Sequence, residues 1–578
     1  MAAWVALALA LAPTASEPAV TITLSPRPAA AGGATVATVD VTLRFEGIEI
    51  ERGEPMLRLP LVASNVDTVA TVISALEASD GQGAITLSAR NVDLPLAAAR
   101  DAESGGPSRE WLSDRAVRGP ITVRYTVPAN ATLPPRGPAP PFSFSNDGAG
   151  VSGAGHVFLL MPPGNARYRT TVDWDLSALG KGAQGVSSYG VGRVVAPEPL
   201  GSGELRMAYY MAGRLGLWPN PAPSRGFFSA WQGEPPFDAA PLMEWTGTLY
   251  GHYAKLFGQK EPPPYGVFLR YNPINAGGGV GLYHSFVTTF GRKGGNGSDP
   301  EETRLTLAHE MFHTFQPFIS TPAGLESSWF GEGLATFYQR RLPLRFGMLS
   351  PDAFLKDLNF HAGRYYTSAM ATAPNSEVPR RFWGDTRIRT LPYDRGMLYF
   401  ATVDHAVRTK SDGRRSLDDL MLAMLEKQKG GAKTSNADWE ELLRAELGDE
   451  AVTAFRAFLD GARPLPPSDA FGPCFRRTTR PLRQYELGFD TAVLAEPTRV
   501  VRGLVAGSAA AQAGLRDGDR IVDPVPQDGI QGNQTEFIEL KIRRDGKIFP
   551  IRYLPRGETV QAYQWERVSG VPDASCAL

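Results

Sequence analysis

The chain has 578 residues, 43% hydrophobic and 21% charged, with a formal net charge of −1. That length exceeds one compact domain and calls for roughly three or four. The charge balance excludes a global field that would recruit nucleic acid or an acidic membrane surface.

The first residues read MAAWVALALALAPTASEP. An apolar run over Ala2–Ala12 is followed by small residues up to Ser16. This is the pattern of a signal peptide over 1–16, although no Lys or Arg precedes the run. The expectation is export to a periplasmic or extracellular space. No later uncharged stretch of ~20 apolar residues offers a membrane span, so no stable membrane insertion is expected.

From about Val20 to Tyr210 the chain is strand-like. VTITLSP, ATVATVDVTLRFEG, GPITVRYTVPA and YRTTVDWDLS are short alternating or β-branched runs cut by Gly, Pro, Asn and Asp. They predict an N-terminal β-rich domain over 17–220. LPPRGPAPP (Leu133–Pro141) reads as a stiff connector. His156 has no ligand partner nearby in sequence and reads as structural.

After about Asn220 the texture changes. Pro241–Gly258 has apolar residues at helical spacing, and PYGVFLRYN is strand-like. NAGGGVGLYHSFVTTF reads as a glycine-rich turn into a second strand-like run. Helices dominate to about 462. RPLPPSDAFGP opens a linker over 463–484. Residues 485–556 are again strand-rich, and 557–578 form a tail. The two cysteines, Cys474 and Cys576, bracket this last part. In an oxidising compartment they could pair, and sequence leaves open whether they approach each other.

The densest chemical signal is LTLAHEMFHTF (Leu305–Phe315). As a helix it starts well. Ser298 or Asp299 caps it, Pro300 suits the first turn, Glu301 completes a box with Ser298, and Pro317 ends it. His309 and His313 are then one turn apart on one face and can reach one metal ion. Glu310 is offset by about 100°. That leaves it beside the metal, where a base can take a proton from water. With seven histidines in the chain, H-E-x-x-H arises by chance on the order of 0.005 times, so coincidence is the weaker reading. A catalytic zinc takes three protein ligands. SSWFGEGLATFYQRR (Ser327–Arg341) reads as a second helix ending before Pro343, and eighteen residues separate its Glu332 from His313. Pro317, Pro322 and Gly324 let the chain reverse between the two helices. An antiparallel second helix can then bring Glu332 to the two histidines.

HEMFH, that gap and WFGEG resemble the gluzincin metallopeptidases, whose catalytic fold is thermolysin-like. More closely, the chain resembles the glycyl aminopeptidase family, which has a β-rich N-terminal domain and a C-terminal PDZ domain. The resemblance implies one Zn2+ held by His309, His313 and Glu332, with Glu310 as general base. LPYDRGMLYF (Leu391–Phe400) matches the family's Tyr-x-x-Gly segment, so Tyr393 inherits the role of hydrogen-bond donor to the oxyanion. Without the resemblance Tyr393 does not separate from Tyr365, Tyr366, Tyr399 or His405. GGGVGLYHSF matches a glycine-rich strand that in the family ends Gly-Leu-Glu-His, which assigns substrate binding to Gly281, Tyr283 and His284. Here Tyr283 replaces the glutamate that helps hold a substrate's amino group. A phenol can only accept a hydrogen bond from an ammonium, so exopeptidase selectivity is open.

YELGFD (Tyr485–Asp490), VVRGLVAGSAAAQAGLRDGDRIVD (Val500–Asp523) and ELKIRRDGKIFPIRYLP (Glu539–Pro555) resemble a PDZ domain. That likeness implies a groove for a peptide C-terminus, with LGFD as its carboxylate loop. The alternative is a packing module with a closed groove. The expected whole is a multidomain α+β chain: an N-terminal β-rich domain, a thermolysin-like zinc peptidase domain over 221–462 with a helical part, and a PDZ domain over 485–556. Its expected partners are peptide substrates, and a non-catalytic peptide binder that keeps the zinc fold is the competing function.

Overall fold

The computed structural model describes residues 17–30, 35–94, 106–129, 141–147, 150–272, 276–295 and 297–577. The expected signal segment and most of the proline-rich connector lie outside the described residues.

The N-terminal part is a curved sheet. Its centre is β1 (Ala19–Pro28), β2 (Val36–Glu46), β3 (Ile121–Pro128) and β4 (Arg167–Trp174). β1 lies between β2, antiparallel, and β4, parallel, and β3 pairs with the far side of β2. Val20, Ile22 and Leu24 are buried, as are Val39, Val41, Leu43 and Phe45, and Ile121, Val123, Tyr125 and Val127. Every second side chain therefore faces one core, which is what the period of a pleated strand requires.

A second sheet positions the site. It contains β5 (Phe227–Trp231), followed by helix α1 (Ala239–Leu256), then β6 (Tyr265–Tyr271), β7 (Gly279–Leu282) and β8 (Ser285–Phe290). β5, β6 and β8 run parallel, and β7 folds back antiparallel on β8 as the outer edge. Its two faces enter different cores. Phe227, Val267, Leu269, Phe286 and Phe290 pack with the helices. Phe228, Ala230, Phe268, Leu282 and Val287 pack with the N-terminal strands. The expected boundary near 220 is thus a shared, two-sided sheet, and its strands read as near-continuous apolar runs for that reason.

The helical part begins with α2 (Pro300–Phe312) and α3 (Ser328–Arg345), followed by α4 (Pro351–Tyr366) and α5 (Leu391–Lys410). Asp299 caps α2 by accepting from the Glu301 backbone N–H at 2.9 Å. The expected box with Ser298 does not form, because Ser298 Oγ donates to the Gly295 carbonyl instead. α3 continues through Pro343 rather than ending before it. The missing hydrogen bond falls in the last turn, where breaking off would expose the buried Leu342 and Leu344.

The C-terminal part departs most from expectation. β9 (Phe475–Tyr485) occupies the second half of the expected linker. Beyond it come a short helix α6 (Asp528–Gly532), the hairpin β10 (Ile538–Arg544) and β11 (Lys547–Tyr553), and β12 (Arg556–Arg567). The first half of the expected tail belongs to β12, which pairs antiparallel with β9 along nearly its whole length. This ribbon packs on α4. Asn359 grips the Trp565 backbone at both its N–H (2.7 Å) and its carbonyl (2.8 Å). Phe475, Trp565 and both cysteines belong to the helical core. Cys474 and Cys576 form a disulfide that closes the ribbon's far end. The module between the ribbon strands has a separate core of Leu487, Val493, Val501, Ile521, Ile538, Leu540 and Ile542. Asp545 and Gly546 make the turn of the β10–β11 hairpin, both with positive φ. LGFD is followed by a 3-10 turn, Thr491–Ala495. Among the described residues no helix is long and apolar enough to cross a membrane.

Candidate metal centre and active site

α2 and α3 bring three donor atoms to one point. Glu332 Oε2 lies 3.1 Å from His309 Nε2 and 3.3 Å from His313 Nε2, and the two Nε2 atoms are 3.2 Å apart. Ligand atoms bound tetrahedrally at 2.0–2.1 Å stand about 3.3 Å from one another, so this set fits a zinc ion. Two imidazoles and a carboxylate converging at such distances form a donor set that one metal ion can bridge. His309, His313 and Glu332 are the metal-capable cluster among the described residues. His309 is buried while His313 and Glu332 stay partly open, which leaves room for water at the fourth position. Burial works to raise the Glu332 carboxyl, but the neighbouring imidazoles win and hold it well below the usual carboxylate range.

Two glutamines that the motif does not announce orient the histidines. Gln339 Oε1 is 2.9 Å from His309 Nδ1. An amide oxygen there needs a proton on Nδ1, which leaves Nε2 free as a donor atom. Gln339 is held in turn by Asp357, which accepts from its Nε2 at 3.0 Å. Gln316 lies 2.7 Å from His313 Nδ1 through Nε2, while its buried Oε1 has no partner among the described residues. Turning that amide places its oxygen on His313 Nδ1–H, the tautomer a metal ligand requires. Gln339 stands seven residues after Glu332 on the same helix, so two turns of α3 were the available signal for it.

Glu310 stands apart from the three donors and faces the edge strand. Its carboxylate accepts from the Gly281 backbone N–H, and burial, opposed by His309, raises it to about 7. A dication at the triad would oppose that rise. A Cβ built on Gly281 would come within 3.2 Å of Glu310 Oε2, so glycine keeps the strand and the acid close. Tyr393 lies in the first turn of α5, its ring stacked against His309 at 5.8 Å. Burial, then the charges of Glu332 and Glu310, raise its hydroxyl well above the ordinary value. It keeps its proton and stays a donor.

Tyr283 and His284 form the two-residue turn joining β7 to β8. The Tyr283 hydroxyl donates to Glu198 of the N-terminal part at 3.2 Å. His284 has φ 43°, and burial lowers its pKa. All the expected site residues border one cavity of about 2170 Å3. Residues 524–530, from the C-terminal module, also line it, and nothing in the motif reading pointed to them.

No family model matches the chain, and no curated protein matches it. Solved structures do. The chain is similar to an aminopeptidase N family protein from Idiomarina loihiensis, with TM-score 0.63 and 15% identity, over 95% of this chain and 98% of that one. It is also similar to a two-domain M1 zinc metallopeptidase bound to L-tryptophan, with TM-score 0.46 and 17% identity, over 78% of this chain and 96% of that one. An M1 zinc metallopeptidase from Deinococcus radiodurans gives TM-score 0.45 and 16% identity, over 78% and 95%. The first likeness runs end to end and shows a shared fold: a β-rich N-terminal part, a sheet-and-helix middle and a helical part behind it.

Proposed function

We propose that the chain is a zinc-dependent peptidase. One observation carries this reading: His309, His313 and Glu332 converge on one point, and Glu310, next to His309 on the same helix, faces the edge strand β7 at Gly281. Zinc held there supplies Lewis acidity toward water and the scissile carbonyl. Glu310 accepts the proton of the attacking water and returns it to the leaving amine. The protonated Tyr393 donates to the oxyanion. β7 offers its outer edge to an extended substrate backbone.

The resemblance to glycyl aminopeptidases favours action on small N-terminal residues. Tyr283 favours a second reading, an endopeptidase, because its hydroxyl is engaged with Glu198 and brings no carboxylate of its own to a substrate ammonium. Export to an oxidising space is part of the proposal, and the Cys474–Cys576 disulfide supports it. The PDZ-like landmarks of the C-terminal module support a peptide-binding role there.

A panel of free-amino and amino-blocked peptides tests the assignment, read with the metal content of the same preparation. Hydrolysis of free-amino peptides alone supports the aminopeptidase, and hydrolysis of blocked ones the endopeptidase. Bound zinc with no turnover of either set would leave a binding protein.

A further inference from the structure

The C-terminal module meets the rest of the chain at the active-site cavity. Asp528, which opens α6, accepts from Arg389 at Nη2 (2.6 Å) and Nε (2.9 Å) and is also bonded by Thr386 Oγ1. Arg364 Nη1 donates to the Asp528 carbonyl at 3.2 Å. Gln531 Nε2 donates to Thr390 Oγ1 at 3.0 Å. Arg389 and Thr390 are the two residues immediately before α5, and Thr390 is its N-cap. Tyr393 sits in the turn they start.

This segment is not a loose flap. On its other side the Tyr485 hydroxyl donates to Gln527 at 3.2 Å, and Arg556 Nη1 donates to the Gln531 carbonyl at 3.3 Å. Gln531 is 2% exposed and Arg389 7%. A buried amide and a nearly buried guanidinium, each bonded across the junction, fix geometry more than they add stability.

We propose that the C-terminal module is a working wall of the active site, in which Asp528 and Gln531 are positioning residues that hold the first turn of α5 and so aim Tyr393 at the metal-binding triad. The proposal rests on the peptidase reading, since it gives Tyr393 its role. It assigns residues 524–530, which line the cavity, a place against bound substrate, distinct from any groove elsewhere on the module.

A double-mutant cycle tests it on the full-length, zinc-loaded protein. Gln531→Ala removes a neutral bond, and Asp528→Asn serves as second variant in case one of them folds poorly. The expected result is a fall in kcat of about tenfold for Gln531→Ala, and a change under about twofold when the same substitution is made in Tyr393→Phe. An equal loss in both backgrounds, or no loss in either, overturns the proposal. Hydrogen exchange supplies a readout independent of turnover: Gln531→Ala should speed exchange over residues 386–396 while zinc content stays unchanged. If the parent protein hydrolyses no peptide, the peptidase reading fails separately, and unchanged exchange over 386–396 would still overturn the tether.

Discussion

Gly333 and Gly396 touch where α3 crosses α5: a Cβ built on either would lie 2.7 Å from the other's Cα. Glu332 precedes one glycine, and Tyr393 lies one turn before the other. The contact therefore sets how near the phenol comes to the carboxylate. Gly396→Ala should push the helices apart, at a cost of about 1–3 kcal/mol for overpacking. Thermal unfolding and kcat together check this, and the loss of kcat should exceed any loss of zinc.

Tyr393→Phe removes one donor and little volume. We expect kcat to fall by about 10²–10³ while KM and zinc content hold, as for other single oxyanion donors. Unchanged kcat would leave Tyr393 a packed aromatic.

Gln339 acts through His309. Gln339→Leu keeps the packing volume but deletes the acceptor for His309 Nδ1–H. Zinc affinity should drop about 10–100-fold, measured by competition with a chelator. A matching drop for Gln316→Leu would place the second glutamine in the same role.

His156 is buried and stacked on Phe142 at 4.9 Å. Burial, helped by Arg206, lowers its pKa to about 3. The folded state therefore binds fewer protons than the unfolded chain, whose histidines titrate near 6.5. Its contribution to stability is full above about pH 6.5 and declines as pH falls toward 3. Between pH 6.5 and 5 that amounts to roughly 2 kcal/mol, and His156→Gln should flatten this part of the curve. Denaturant unfolding at the two pH values measures it.

Breaking the disulfide by Cys474→Ser with Cys576→Ser should destabilise the chain by about 2–4 kcal/mol, because the bridge closes a loop of 102 residues. Both positions lie in the helical core, so the midpoint should fall for the whole helical part and not only for the module.

What the sequence discloses here follows from interaction range. His309, Glu310 and His313 are legible because one helix turn fixes their spacing, and Glu332 because a short reversal returns the chain. Tyr393 is singled out only by resemblance, since helical spacing alone leaves several tyrosines equivalent. β9 reads as linker because FRRTTRPLRQY is mostly polar, with no alternating apolar face. Its partner, β12, lies some eighty residues later, and no local pattern announces the pairing. The contacts of Asp528 with Arg389 span 139 residues and are invisible for the same reason.

The most direct measurement pairs metal analysis with peptide hydrolysis for the parent protein and Glu310→Gln. The account predicts one zinc per chain in both, with hydrolysis by the parent and its loss in the variant. A parent that takes up no zinc, or a Glu310→Gln protein that hydrolyses peptides at the full rate, would contradict it.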